Sequence, residues 1–164
     1  MAEAVRTSGS WIACRIGCHE CCLGPFPITQ LDALRLRAGL AELETREAER
    51  AARVLSRARA AVECTLDEED EDEPCPALDP DTGACDLYAA RPLTCRTFGP
   101  AVREPGGDSV AVCELCFRGA SDEEIAACAV EIDPSLETEL LQELERVTGR
   151  CGDTTVALAL TTAP

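Results

Sequence analysis

Cys14-Arg15-Ile16-Gly17-Cys18-His19-Glu20-Cys21-Cys22 sets four thiols into one short stretch, in the pattern C-x3-C-x2-C-C. How these thiols are used decides the fold, because disulfides and thiolate-bound metal stabilise a chain in different ways. On a straight helix, positions i, i+4, i+7 and i+8 fall within about 100° of one another, so all four thiols share a face. The first and last are then about 12 Å apart along the axis, too far to share one ion through Zn–S bonds of about 2.3 Å. A single tetrahedral zinc on a straight quartet helix is thereby excluded. The segment either curls as a loop around a cluster or divides its thiols between two sites completed from elsewhere. Cys21 and Cys22, as chain neighbours, are expected to point in diverging directions and so to serve two sites.

The second half of the chain can complete those sites. Cys75, Cys85 and Cys95 follow at even steps of ten, and then comes the pair Cys113-x2-Cys116. With one of that pair the set reaches eight, enough for two four-thiolate sites or for one cluster plus a structural metal. The candidate ligands are therefore Cys14, Cys18, Cys21, Cys22, Cys75, Cys85, Cys95 and either Cys113 or Cys116. Cys64, Cys128 and Cys151 read as small buried hydrophobes. His19 sits between ligands, but the thiols suffice without it. Metal is preferred to disulfides on the expected compartment. Residues 1–11 carry Glu3, Arg6 and polar Thr7, Ser8 and Ser10, with no apolar stretch of a secretory signal, so a cytoplasmic location with reduced thiols is expected.

Composition narrows the function classes. The 164 residues include 12 cysteines, one histidine and 31 acidic against 15 basic side chains, for a net charge of −16. Every basic residue is arginine, so Schiff-base chemistry and a P-loop lysine are excluded. One histidine excludes the two-histidine zinc-protease motif. The charge repels phosphate backbones and anionic lipid, so neither nucleic acid nor membrane is an expected partner. No apolar run approaches the ~20 residues that span a bilayer. Aromatic content of 3% leaves few large anchors, and metal is expected to staple what they do not hold.

The expected fold class is mainly α with irregular cysteine-rich loops, in a small single metal-stapled domain. A flexible leader, 1–11, precedes a metal-binding region, 12–150, and a tail, 151–164. Within the region, a helical insert covers about 29–63. It opens with a capping box at Thr29 and Asp32, reaches Gly39, and resumes over about 41–62 with glutamates first and arginines second. An acidic loop follows at 67–73, read as a solvated segment. From Cys75 to Cys116 prolines, glycines and cysteines preclude long helices, and Val110 to Val112 is a candidate strand. Ser121 and Glu124 form a capping box ahead of a helix over Ile125 to Glu131. Asp133-Pro134 starts a last helix that stops at Gly149, and Thr154 to Leu160 reads as a strand.

The spacing Cys14-x3-Cys18-x2-Cys21-Cys22, then Cys75-Pro76 with Leu78, then Cys85-x2-Tyr88-x2-Arg91-Pro92-x2-Cys95-Arg96 with Phe98, closely resembles the bacterial zinc- or iron-chelating CxxxCxxCC domain, also called the YkgJ family. The resemblance covers about residues 12 to 117. It implies a small metal-chelating domain, sometimes labelled an iron–sulfur oxidoreductase and related to the cysteine cluster of flagellin lysine methylases. It brings no known reaction, and it does not explain the helical insert or the acidic run.

Four thiolates around Zn²⁺ or a [4Fe–4S]²⁺ cluster leave a net −2, which nearby cations would offset. Arg91 and Arg96, and with less support Arg15, are the candidates, while Tyr88 is either a core plug or a donor. The expected function is chelation of an iron–sulfur cluster or iron through thiolates, in redox or electron transfer with an unidentified redox or protein partner. The alternative is a structural zinc domain acting as an interaction module. No catalytic residue is identified. A radical S-adenosylmethionine enzyme shares C-x3-C-x2-C but needs a long run of strand-helix units after it, which this chain lacks.

Overall fold

The longest apolar stripes in the sequence become a helical hairpin. In the computed structural model, which describes residues 2–15, 17–24, 26–64, 73–133 and 135–162 and all their side chains except those of Ala2, Cys64 and Leu136, seven α-helices carry most of the structure. They are α1 (Ala2–Ser8), α2 (Gln30–Arg46), α3 (Ala48–Cys64), α4 (Leu93–Thr97), α5 (Asp122–Cys128), α6 (Ser135–Thr148) and α7 (Val156–Thr161). The strands β1 (Val102–Arg103) and β2 (Val130–Glu131) pair in parallel, Val102 opposite Val130. The fold class is the expected one, mainly α with cysteine-rich irregular segments. Its contacts gather in two compact units. Residues 16–93 with 141–164 form one, called here the helical unit, and residues 1–15 with 94–140 form the other, the knuckle unit.

In the helical unit, Thr29 Oγ1 accepts the Asp32 N–H at 3.3 Å and starts α2. The Asp32 carboxylate, itself buried, accepts the Leu93 N–H at 3.0 Å. The helix does not stop at Gly39, as the sequence suggested, but runs on to Arg46. The reason is packing: Leu36, Leu40 and Leu43 continue the buried stripe past the glycine. A side chain at Gly39 would also collide with the Ala90 methyl. α3 presents Ala51, Val54, Ala58 and Ala61, and α7 presents Val156, Ala159 and Leu160, so the two helices and α2 close a shared core. Alanine at these positions lets the helices approach closely, which is how an aromatic-poor chain fills a core.

The tail corrects the strand expected over Thr154 to Leu160. Val156, Ala159 and Leu160 are spaced to share one helical face, and Thr155 Oγ1 caps α7 by accepting the Leu158 N–H at 3.2 Å. Only Thr154 pairs as a strand does, with Ile28.

In the knuckle unit, residues 2–8, placed by sequence in the leader, form α1 and bury Ala4 and Ser8. The capping box of Ser121 and Glu124 is present in both directions. Its helix, α5, ends at Cys128 rather than at Glu131, because Val130 and Glu131 are drawn into the ladder beside β1. The candidate strand over Val110 to Val112 survives as a single bridge between Ala111 and Val102. The last helix expected from sequence, α6, has its C-terminal half in the helical unit and ends at Thr148, before Gly149, whose φ of +71° suits glycine and whose N–H donates to Glu145 O at 2.7 Å. The acidic run 67–73, apart from Glu73, lies outside the described residues, as does the side chain of Cys64.

Candidate metal centre

Backbone pairing brings the first two cysteine stretches of the helical unit together. Glu20–Cys22 is a 3₁₀ turn, not part of a long helix. The Cys75 N–H donates to Cys22 O at 2.6 Å, and the Gly24 N–H donates to Glu73 O at 2.9 Å, with Leu23 bridged to Pro74. Residues 75–86 fold back as a small hairpin in which the Asp86 N–H donates to Ala77 O at 2.7 Å and Leu78 is bridged to Cys85. Cys75 and Cys85 therefore stand at its open end, against Cys21 and Cys22.

The electrostatics show the four thiols acting on one another. The Cys21 and Cys22 side chains, neighbours on the 3₁₀ turn that pairs with Cys75, act on each other through a side-chain hydrogen bond. This bond lowers the Cys21 thiol to about 6, helped by the positive charge of Arg91, and raises that of Cys22. Negative charge on Cys75 and Cys85 also bears on Cys22. Burial raises the Cys75 thiol to about 11 and also raises that of Cys85, on which Arg91 acts in the opposite sense. Burial and mutual repulsion thus oppose the loss of protons from Cys22, Cys75 and Cys85, and a bound cation would counter both.

Two arginines of α3 fix this hairpin. Arg50 Nε lies 2.5 Å from Asp86 Oδ1, Arg57 Nη2 lies 2.5 Å from Asp86 Oδ2, and Arg57 Nε donates to Pro76 O at 2.8 Å. The Asp86 side chain is 2% exposed. The residues following Cys75 and Cys85 are therefore clamped to one helix. Here the helical insert gains a role that its sequence did not disclose. The available signals were the i, i+7 spacing of Arg50 and Arg57, which puts them on one face, and the acidic residue directly after a candidate ligand.

A second thiol group lies within the knuckle unit. The Cys116 N–H donates to Cys113 O at 2.9 Å, turning the C-x2-C segment, and the Ala13 N–H donates to Cys116 Sγ at 3.4 Å. The Phe117 N–H reaches Trp11 O at 3.1 Å, and the two rings stack with centroids 6.2 Å apart. Cys113 and Cys116 are 5% and 4% exposed. Burial raises the Cys113 thiol, with the charge of Cys116 adding to the effect. Gly99, at φ +122°, is the cradle for this group. A Cβ there would sit 2.9 Å from Cys14 Sγ and 3.9 Å from Cys116 Sγ, so only glycine leaves room for these sulfurs.

Other expected residues are placed as follows. Cys18 is half-buried in the helical unit, and Cys95 is buried on α4 in the knuckle unit. His19 is exposed, its Nδ1 held 3.1 Å from Gly17 O. Arg91 lies over the Tyr88 ring, 3.8 Å from its centroid, and Tyr88 is 63% exposed, so it is no core plug. Arg96 is half-buried on α4, and Arg15 is exposed. Cys128 is half-buried on α5, and Cys151 is exposed rather than buried. Among the described residues no three His, Cys, Asp or Glu side chains stand close enough to hold one ion. No described helix is long and apolar enough to cross a membrane.

The donor chemistry still fits a thiophilic metal: sulfur ligands in two groups, an arginine beside one and a glycine cradle beneath the other. No curated protein and no solved structure matches the chain. Residues 13–116 match the family model for CxxCxxCC, described as "Putative zinc- or iron-chelating domain". That span holds both thiol groups and covers more than half of the sequence, so the chain belongs to this cysteine-cluster family of zinc or iron chelators.

Proposed function

We propose that Cys21, Cys22, Cys75 and Cys85, with Cys18 in the same unit, hold iron, as an iron–sulfur cluster or as the bare ion, and that the chain serves redox or electron transfer in the cytoplasm. The observation that carries this reading is the backbone pairing that sets the Cys21–Cys22 turn beside Cys75 and the 75–86 hairpin that carries Cys85 back to the same side, with the Arg91 charge acting on Cys21 and Cys85. Four thiolates leave a net negative charge on either kind of centre, and the Arg91 guanidinium offsets part of it. The bound group would supply one-electron chemistry. The chain supplies the sulfurs, their compensating charge and a hairpin clamped by Asp86. Because the sulfurs stand apart, binding draws them inward from the positions they occupy here.

A specific feature favours zinc for the second group. Cys113-x2-Cys116 is a buried turn with a backbone N–H aimed at a sulfur, joined to Cys14 over Gly99. Closed four-sulfur sites of this kind serve structure. Cys95, in the same unit, is the natural fourth ligand.

Anaerobic isolation followed by metal analysis and visible spectroscopy tests the assignment. The expected result is a brown protein carrying both iron and zinc. Cys75→Ser should lose the iron and keep the zinc, Cys113→Ser should do the reverse, and Cys151→Ser should keep both. A colourless protein with zinc alone would overturn the iron reading. Equal loss of both metals in every variant would overturn the division of the thiols.

A further inference from the structure

The hairpin of residues 75–86 ends in a tip that its own bonds make rigid. The Gly83 N–H donates to Asp79 O and the Asp79 N–H to Ala84 O, both at 2.8 Å. The Asp79 carboxylate accepts the Thr82 hydroxyl at 2.8 Å and the Asp81 N–H at 3.1 Å, and Thr82 Oγ1 accepts the Ala84 N–H at 3.3 Å. Gly83 stands on this tip at φ +66°, with its bare face turned to another glycine. A Cβ there would lie 3.2 Å from Gly17 Cα and 3.4 Å from Gly17 O. Backbone thus packs on backbone, an approach that a side chain would hold apart.

Gly17 is the residue before Cys18. Its carbonyl, which begins the peptide bond into Cys18, also accepts from His19 Nδ1 at 3.1 Å, so that peptide is fixed from two sides. Further on, Cys22 O accepts the Cys75 N–H at the open end of the hairpin. Residues 18–21 therefore run between two points anchored on one hairpin, the tip at Gly83 and the open end at Cys75. A stretch so short, tied at both ends, cannot carry Cys18 away from it.

We infer that Gly83 is the positioning residue for Cys18: its bare backbone docks the Gly17–Cys18 peptide on the hairpin that carries Cys75 and Cys85, and so makes Cys18 a ligand of the same metal centre.

The two glycines are not equivalent. A Cβ at Gly17, φ +87°, would meet nothing within 4 Å, whereas one at Gly83 meets the backbone that leads into Cys18. Position 83 thus demands glycine for the contact as well as for the dihedral angle, and position 17 for the angle alone. The contact also accounts for the division of the C-x3-C spacing. Cys14 lies over Gly99 in the knuckle unit, and Cys18 is captured by Gly83 in the helical unit. That a metal sits at this hairpin rests on the reading proposed above, whereas the docking of Gly17 on Gly83 does not.

Site-resolved alkylation of the full chain, read by peptide mass spectrometry with and without Cd²⁺ as the probe metal, tests the inference. In the wild-type chain Cd²⁺ should protect Cys18 together with Cys75 and Cys85. Gly83→Ala should reduce the protection of Cys18 about tenfold, the effect expected when backbone strain opposes docking, while Cys75 and Cys85 stay protected. Gly83→Asn, which tolerates a positive φ but carries the same Cβ, should act alike. Gly152→Ala, at φ +73° in the same unit with open space around it, should leave Cys18 as protected as in wild type. Four outcomes would overturn the positioning role: no Cd²⁺ protection of Cys18 in wild type, unchanged protection in either Gly83 variant, equal loss at Cys18, Cys75 and Cys85, or equal loss in Gly152→Ala. Iron is measured separately on the anaerobically isolated protein. If Cd²⁺ protects Cys18 in wild type but not in the Gly83 variants, and the isolated protein holds no iron, the iron reading fails and the positioning role stands. If iron is present and Cys18 is unprotected, the reverse holds.

Discussion

The two compact units solve the same shortage in different ways. Both are poor in large aromatic residues, since the whole chain has one tryptophan, one tyrosine and three phenylalanines. The helical unit compensates with length: α2, α3 and α7 bury an aliphatic and alanine core, against which Cys75 and Cys85 pack from outside. In the knuckle unit Cys113 and Cys116 are themselves core, together with Ala101 and Phe117. One unit would keep its fold with its thiols empty. The other has cysteine sulfur where a core would have hydrocarbon, so whatever those sulfurs bind enters its stability directly.

The largest expected effect follows from that contrast. Trp11 is the single tryptophan, and it lies in the knuckle unit, stacked on Phe117 beside the Cys116 turn. Complete metal removal by a strong chelator should shift Trp11 emission to the red and release its near-ultraviolet dichroism, while the helical far-ultraviolet signal largely persists. Structural zinc contributes roughly 10–16 kcal/mol of apparent binding energy in small domains, so this loss should outweigh any single substitution. Unchanged Trp11 emission in fully metal-free protein would break the comparison.

The next effect belongs to the helical unit. Arg50→Ala with Arg57→Ala leaves the Asp86 carboxylate buried without its two cations, at a cost of about 3–5 kcal/mol. Urea unfolding followed by far-ultraviolet dichroism should show it, and adding Asp86→Ala should recover much of the loss. A deficit below ~1 kcal/mol would mean that the clamp behaves as a surface pair.

What could be read in the sequence divides along the same line. The helices of the insert, their caps and the stop at Gly149 were legible because periodicity and capping are local signals. The continuation of α2 through Gly39 was not, since it depends on Ala90, a residue distant in sequence. Nor was α7: Val156, Leu158 and Leu160 alternate as in a strand, and only the core formed by α2 and α3 makes Val156, Ala159 and Leu160 the productive face. The cysteine spacing pointed to thiol chemistry, and dividing the sulfurs over two groups was one of its two options. It did not disclose that the Cys21–Cys22 turn pairs through its backbone with Cys75, because that pairing joins stretches distant in sequence.

A smaller effect tests the cradle under the second thiol group. Gly99→Ala introduces a Cβ 2.9 Å from Cys14 Sγ at a φ that side chains rarely adopt, a strain of about 1–3 kcal/mol. On the proposed assignment, the variant should lose zinc faster to a competing chelator while the helical unit keeps its iron. Equal retention of both metals would separate Cys14 from the centre.

The smallest effect concerns the capping box of α5. Hydrogen bonds from the backbone and side chain of Ser121 hold the Glu124 carboxyl below the usual carboxylate range. A carboxyl depressed in the folded state binds its proton more readily once unfolded, so its contribution is present above the ordinary carboxylate value and is lost as pH falls through the folded value. Glu124→Gln keeps a capping partner but removes the titration. The difference in urea midpoint between wild type and variant, followed at Trp11 with metal bound, should favour wild type at neutral pH and shrink toward acid. Far-ultraviolet unfolding of the helical unit should not follow that difference, because α5 belongs to the knuckle unit. If both signals moved together, the two units would be unfolding as one cooperative body, and the contrast between a core that merely borders its thiols and one built from them would have no separate thermodynamic expression.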